Sequence, residues 1–318
     1  MSVLPSFFAS PPPAVGVELA SDRVTAVSIG RQGSTNTVAG YAVEGLPPGA
    51  LTPALNAINI HNESAVISAL STALDKLGSR QRRVALVIPD SAAKVSLLRF
   101  EKVPSQADLD QLIRWQMRKA APFKPEDAEI SWVPAGALPQ GGQEFLVTLA
   151  RRDIVESYQH VCTGAGLEAG IVDLASLNLI NAVLAGSGGE ASGDLLVVHV
   201  TPDYATLAIV RGKDLIFFRT RQLETYTDLT DLVHQTAMYH EDRLGGGHFT
   251  RVLLSGAAAR GAETGELARR GLEERLGVRV EALDFRTAAP MVDRISAGTE
   301  LLDALAPAVG VVLRERVA

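Results

Sequence analysis

The chain is nearly without cysteine. Its one residue, Cys162, cannot close an internal disulfide, which excludes a disulfide-built secreted scaffold and fits a reducing compartment, expected to be the cytoplasm. Long apolar runs are missing as well: none approaches the roughly 18 residues that span a bilayer, so no membrane-crossing helix is predicted. The opening MSVLPSFFASPPPA has neither the basic start nor the long apolar centre of a secretory signal, and its prolines oppose a helix. Residues 1–13 are therefore predicted to be a flexible lead. There is no excess of positive charge, and a net charge of −6 argues against an electrostatic grip on nucleic acid. The short basic clusters at Arg80, Arg82, Arg83 and at Arg114, Arg118, Lys119 read as solvated faces. Phosphate-loop, zinc-peptidase and hydrolase-elbow motifs are all absent. His234 and His240 stand six apart on one predicted helix, off a common face, so no metal site is expected.

What remains is ample for a core: 318 residues, of which 47% are hydrophobic. Alternation and turn residues predict strands at 14–20, 23–29 and 37–44, a helix at 62–78 and a strand at 84–88. After the Gly/Ser-rich stretch 185–193, read as a linker, the order recurs: strands at 194–200, 204–210 and 214–221, a helix at 227–244 and a strand at 252–254. The shared βββαβ order points to a duplicated α/β architecture of two lobes. A helix at 261–276, a strand at 278–282 and a last helix at 299–316 complete the second.

Between the lobes the rhythm differs: strand 93–101, helix 105–120, strands 128–134 and 144–150, helix 152–165, strand 169–173. That βαββαβ order is the ferredoxin-like split unit. The expected divisions are 14–92 for the first lobe, 93–173 for the inserted subdomain, 174–193 for a return helix and linker, and 194–318 for the second lobe. Ser105 and Asp108 predict a capping box, with Leu109, Leu112, Ile113, Met117 and Ala120 on one face of the helix that follows.

A duplicated lobe pair with a small insertion in the first lobe resembles the actin-like, ribonuclease H-like ATPase superfamily. Several stretches resemble one family within it, the type IV pilus assembly protein PilM: Ala14-Val-Gly-Val-Glu18, Val103-Pro104, Ile113-Arg-Trp-Gln116, Ala121-Pro-Phe123, Ala165-Gly-Leu167, Val172-Asp173, Phe218-Arg219, Leu254-Ser-Gly256, and Ala306-Pro with Gly310. They span nearly the whole chain in the family's order. The cytoplasmic domain of the type II secretion protein GspL shares the plan but is followed by a membrane helix.

The resemblance implies a nucleotide site built from an Asp-x-Gly pattern in each of two hairpins, where the carboxylate holds the metal and the glycine lets N–H groups reach phosphate. In this chain the first hairpin reads Glu18-Leu-Ala20, then Ser21 and Asp22. The second has His199 at the acidic position, Thr201 at the glycine, then Pro202 and Asp203. The adenine region keeps one glycine, Gly256 after Ser255, and the cap over adenine in the second lobe is expected to be reduced. The site is therefore predicted to be degenerate, with no catalytic residue and at most weak ATP and Mg²⁺ binding. The resemblance further implies a non-enzymatic scaffold at the inner-membrane platform of the pilus, peripheral to that membrane and serving twitching motility. Its partner would be the cytoplasmic N-terminal tail of the bitopic protein PilN, bound between the first lobe and the insertion, with other platform and motor components nearby. Arg114, Trp115 and Phe123 are the candidates for that contact, with plain packing and solubility as their other reading. Three alternatives stand beside it: an ATP-binding switch whose lobes close, a filament former, and a small-molecule kinase using Asp22 or Asp173. Asp173 also reads as the cap of a helix beginning near 174.

Overall fold

The structure, a computed structural model, describes residues 13–102, 105–138, 141–186, 193–223, 226–258, 261–292 and 297–313. The predicted lead up to residue 12, most of the 185–193 linker, Val103-Pro104 and the end of the last predicted helix lie outside the described residues. The chain opens with an antiparallel meander, β1 (Val15–Leu19), β2 (Arg23–Gln32) and β3 (Thr35–Gly45), followed by α1 (Glu63–Leu77) and by β4 (Arg83–Ile88), which returns parallel to β1. The limits of α1 are local in origin. The Asn62 side chain accepts the Ala65 N–H at 3.1 Å, and Gly78 closes the helix at φ 65°, the left-handed conformation that glycine adopts freely.

From β4 the chain enters β5 (Ala93–Phe100), α2 (Gln106–Arg118), β6 (Ala128–Ala137) and β7 (Gln143–Arg151). These make a separate antiparallel sheet, ordered β5-β7-β6, with its own core of Phe100, Ile113, Met117, Phe145 and Leu149. Ser105 caps α2, accepting the Asp108 N–H at 3.3 Å and donating its hydroxyl to the Asp108 carboxylate at 2.6 Å. The helix ends at Arg118, short of Pro122, with the N–H groups of Ala120 and Ala121 both bonded to the Met117 carbonyl.

Then come α3 (Arg152–Gly164), β8 (Glu168–Leu174) and α4 (Ala175–Gly186). Here the expected ferredoxin-like unit over 93–173 is corrected. β8 pairs in parallel with β4, giving the first-lobe sheet the order β3-β2-β1-β4-β8, and α3 buries Ile154, Tyr158, Val161 and Cys162 against Val66, Leu70 and Leu74. The insertion is therefore a βαββ unit ending near residue 151. A strand–helix–strand pattern does not reveal which sheet its last strand joins; pairing with β4 fills a place that the second lobe also fills.

That lobe is β9 (Asp194–Val200), β10 (Tyr204–Arg211), β11 (Asp214–Gln222), α5 (Tyr226–Leu244), β12 (Arg251–Ser255), α6 (Ala262–Leu276), β13 (Val280–Ala282) and α7 (Thr299–Leu313), with sheet order β11-β10-β9-β12-β13. The duplication is thus βββαβαβα in each half, longer than the βββαβ read from pattern. Its last helices cross over. α7 packs on the first-lobe sheet with Val27, Ala85, Val87 and Leu179, so the 194–318 lobe boundary is also corrected, while Ile180 of α4 enters the second-lobe cluster of Leu195, Val197 and Ala208. Two glycines permit this crossing: a Cβ on Gly310 would stand 1.9 Å from the Asn178 carbonyl oxygen, and one on Gly16 would stand 2.0 Å from that of Ala308.

Candidate functional site

The β1–β2 and β9–β10 hairpins face each other where the two sheets end. Glu18 closes β1 with its carboxylate buried, 3.5 Å from the Arg23 guanidinium, which also bonds Asp22 at 3.0 Å. Burial pushes the Glu18 carboxyl above its ordinary range, and Arg23 offsets this only in part. In the second hairpin the Thr201 N–H bonds the Tyr204 carbonyl at 2.9 Å. The N–H groups of Asp203 and Tyr204 both bond the Thr201 hydroxyl, at 3.3 and 3.0 Å. Pro202 has no N–H, so every main-chain donor of this turn is engaged inside the turn itself.

Seven of the eight expected nucleotide-site residues, Glu18, Ala20, Ser21, Asp22, Thr201, Asp203 and Gly256, line one crevice between the hairpins. Ser255 does not; it is fully buried at the end of β12. The crevice holds about 10 Å³, the room of one water and not of a phosphate chain. Gly256 is required by packing, since a Cβ there would lie 2.1 Å from the Val200 carbonyl oxygen at a φ of 85°. That volume, the engaged donors of the second turn and the histidine in place of the second acid all weigh against a metal-bound triphosphate in this crevice. Among the described residues no group of three or more His, Cys, Asp or Glu could hold a metal ion.

Behind the crevice lies a buried polar network centred on Asp90, which the sequence did not single out. Its carboxylate accepts the Ser176 N–H at 2.9 Å, the Ser176 hydroxyl, and the Thr206 hydroxyl at 2.7 Å. The Asp90 N–H donates to the Tyr204 hydroxyl at 3.0 Å. The His199 Nδ1 stands 3.0 Å from the Ser176 hydroxyl, so the residue at the former acidic position faces this network. Asp90 follows β4 in the first lobe, Ser176 opens α4, and the other partners sit on β9 and β10. The network therefore ties the lobes together. Asp173, expected to cap α4, accepts the Leu174 N–H at 2.9 Å just before that helix, while the α4 amide of Ser176 goes to Asp90.

A second cavity, about 390 Å³, lies in the second lobe between the starts of α6 and α7, bordered by Ala258, Glu266, Arg269, Glu300 and Asp303. Asp303 is buried, accepts the Ala258 N–H at 3.1 Å, and leaves Oδ1 without a partner; burial raises its pKa. Arg269 is held by Glu266 and Glu273 at 2.7 and 2.6 Å. Three carboxylates against one neutralised arginine oppose phosphate.

A groove of about 590 Å³ runs between the first lobe and the insertion. Asn56, on the loop before α1, donates to the Pro122 carbonyl at 3.2 Å and accepts from Arg151 at 3.0 Å, while Arg151 grips Asp153 through two bonds at 2.6 and 2.8 Å. Behind it the Tyr158 hydroxyl reaches Asn59 at 3.0 Å, fixing that loop on α3. Of the expected contact residues, Phe123 lines this groove; Arg114 lines a different one, and Trp115 lines neither. The groove's other side chains, Lys124, Glu126, Asp127, Arg152 and Glu156, were not singled out because charged loop residues read as solvated surface.

Comparison with known proteins bears on the fold and the family. The family model for the type IV pilus assembly protein PilM matches residues 16–242. The chain superposes on the solved PilM–PilN type IV pilus biogenesis complex with a TM-score of 0.80 at 19% identity, covering 97% of this chain and 99% of that one. It superposes on a protein of actin-like ATPase fold and unknown function from Bacteroides thetaiotaomicron with a TM-score of 0.52 at 10% identity, covering 90% and 95% of the two chains. The fold is the actin-like one, and over most of its length the chain carries the family's pattern: it belongs to the PilM family of type IV pilus assembly proteins.

Proposed function

We propose that this chain is a non-enzymatic scaffold of the pilus assembly platform, which binds the cytoplasmic N-terminal tail of a PilN-like protein in the groove between its first lobe and the insertion. The groove carries the reading. It offers about 590 Å³, its floor is fixed by Asn56 and Arg151, and it has Phe123 for an apolar anchor between charges of both signs. No helix among the described residues is long and apolar enough to cross a membrane, which suits recruitment to the inner membrane by such a tail. The crevice favours a scaffold over an ATPase, because electrostatic hold on a metal-bound phosphate is the larger part of phosphoryl-transfer catalysis and the second hairpin's donors are engaged within its own turn.

The test is calorimetric titration with a synthetic peptide of the N-terminal tail of the PilN-like protein encoded in the same genome. Micromolar binding, reduced at least tenfold by Phe123→Ala, is expected. A peptide that produces no heat at millimolar concentration would sink the proposal.

A nucleotide-responsive switch is the second reading; for it the 390 Å³ cavity beside the Gly256 loop would take the base, since its carboxylates oppose the phosphates. It requires Mg-ATP to bind at micromolar concentration and to alter tail affinity.

A further inference from the structure

The insertion carries a second, smaller groove, about 210 Å³, between α2 and the sheet. Met117, Ala121, Pro125, Ala128, Ile130 and Leu149 make its apolar walls, and among the described residues Arg114 and Arg118 are its only charged lining residues. We propose that this groove docks a short acidic segment of a partner protein, one apolar side chain entering the floor while flanking carboxylates meet Arg114 and Arg118. The inference does not rest on the tail-binding reading.

Charge is the first argument. The chain as a whole carries −6, yet among the described residues no carboxylate lines this groove. The neighbouring larger groove differs, with Glu126, Asp127, Asp153 and Glu156 set against three basic residues, so the two select different partners. Arg118 is exposed and makes no ion pair among the described residues. Arg114 is held by Asp110 through Nε alone, at 2.8 Å, and Asp110 is in turn fixed by the Trp132 Nε1–H at 3.2 Å. Its outer nitrogens are thus oriented and free for a carboxylate, the geometry in which Arg makes its strong charge-assisted bonds.

Shape is the second. Trp115 stands 55% exposed beside Arg114, with the Lys119 ammonium 5.1 Å from its ring. Trp115 does not line the groove, but an occupant that runs out past Arg114 meets it, and exposed aromatics beside arginines are enriched in binding hot spots. A concave pocket of this size takes a side chain; a lipid headgroup surface leaves it unfilled.

The test uses the full chain and a fluorescein-labelled peptide with a central leucine between two pairs of aspartates, followed by polarisation. Binding that weakens with rising salt, and that falls at least tenfold in Arg118→Glu with an unchanged circular dichroism spectrum, is the expected result. The asparagine version of the peptide should not bind, nor should the version with serine in place of leucine. Absence of binding at millimolar peptide, or equal binding of the serine version, overturns the proposal. So does sedimentation with phosphatidylglycerol vesicles that Arg118→Glu abolishes while the peptide stays unbound, because the groove's arginines then serve a membrane surface.

Discussion

Asp90 shows how much one buried carboxylate can organise. It is fully buried and satisfies three donors that come from α4 and β10, so removing it strands a backbone N–H and two hydroxyls away from water. Asp90→Ala is expected to cost roughly 2–4 kcal/mol of stability, with Asp90→Asn costing less because one acceptor oxygen is kept. Urea unfolding of the three proteins checks this order. The residue was not legible in the sequence because its partners lie 86 and 116 positions away, and an aspartate after Pro89 reads as an ordinary turn former. The hairpin residues were legible, since their spacing from the strand ends is local, but the engagement of the Asp203 and Tyr204 amides by the Thr201 hydroxyl was not.

Asp194 gives the residue scale its pH dependence. Two bonds from Arg211, at 2.7 and 2.6 Å, hold its carboxyl below the ordinary 3.8, burial opposes this, and contact with the buried His240 adds to the lowering. A depressed folded-state pKa means that the stabilisation is complete above the unfolded value near 4 and is lost as pH falls through the folded value. Thermal melts from pH 7 down to pH 2 should therefore show an acid limb that Asp194→Asn flattens, at the cost of about 1–3 kcal/mol at pH 7 where the ion pair is removed. An unchanged acid limb in the variant would assign it to other carboxylates.

Elements were easier to read than their partnerships. Periodicity found most helices and strands because amphipathic spacing is a property of the chain itself, whereas the sheet that β8 joins depends on the distant β4. The crossing of α4 over α7 was equally hidden: nothing in Ala306-Pro with Gly310 announces that a backbone carbonyl will lie where a side chain would begin. The structure makes that contact testable. Gly310→Ala places a methyl carbon 1.9 Å from the Asn178 carbonyl oxygen, which forces the helices apart. A loss of about 3 kcal/mol or more is expected from such overpacking. Gly212→Ala, at a positive φ of 63° with open space around it, should lose only about 1 kcal/mol. Equal losses at the two sites would mean that α4 and α7 yield easily and that the lobes are loosely joined.

At the scale of the molecule, the insertion is set against both lobes. β5 and β6 contact β11, Leu146 of β7 packs against the second-lobe core as Phe218 does, and Asn56 and Arg151 bind the insertion to the first lobe. With α4 and α7 crossing between the lobes and Asp90 tying them, these contacts leave, among the described residues, no boundary across which few interactions pass. A single cooperative unfolding transition follows. The chain supplies a natural test, because both tryptophans, Trp115 and Trp132, lie in the insertion. Their fluorescence reports the insertion, while far-ultraviolet circular dichroism reports the helices and strands of the whole. The two urea curves should coincide in midpoint and slope. If fluorescence changes first, the insertion unfolds as its own unit, and a tail bound at its base would act on the insertion alone. Coincidence means that a partner seated in the 590 Å³ groove stabilises both lobes at once, which a scaffold needs if it is to hold its other contacts in fixed geometry.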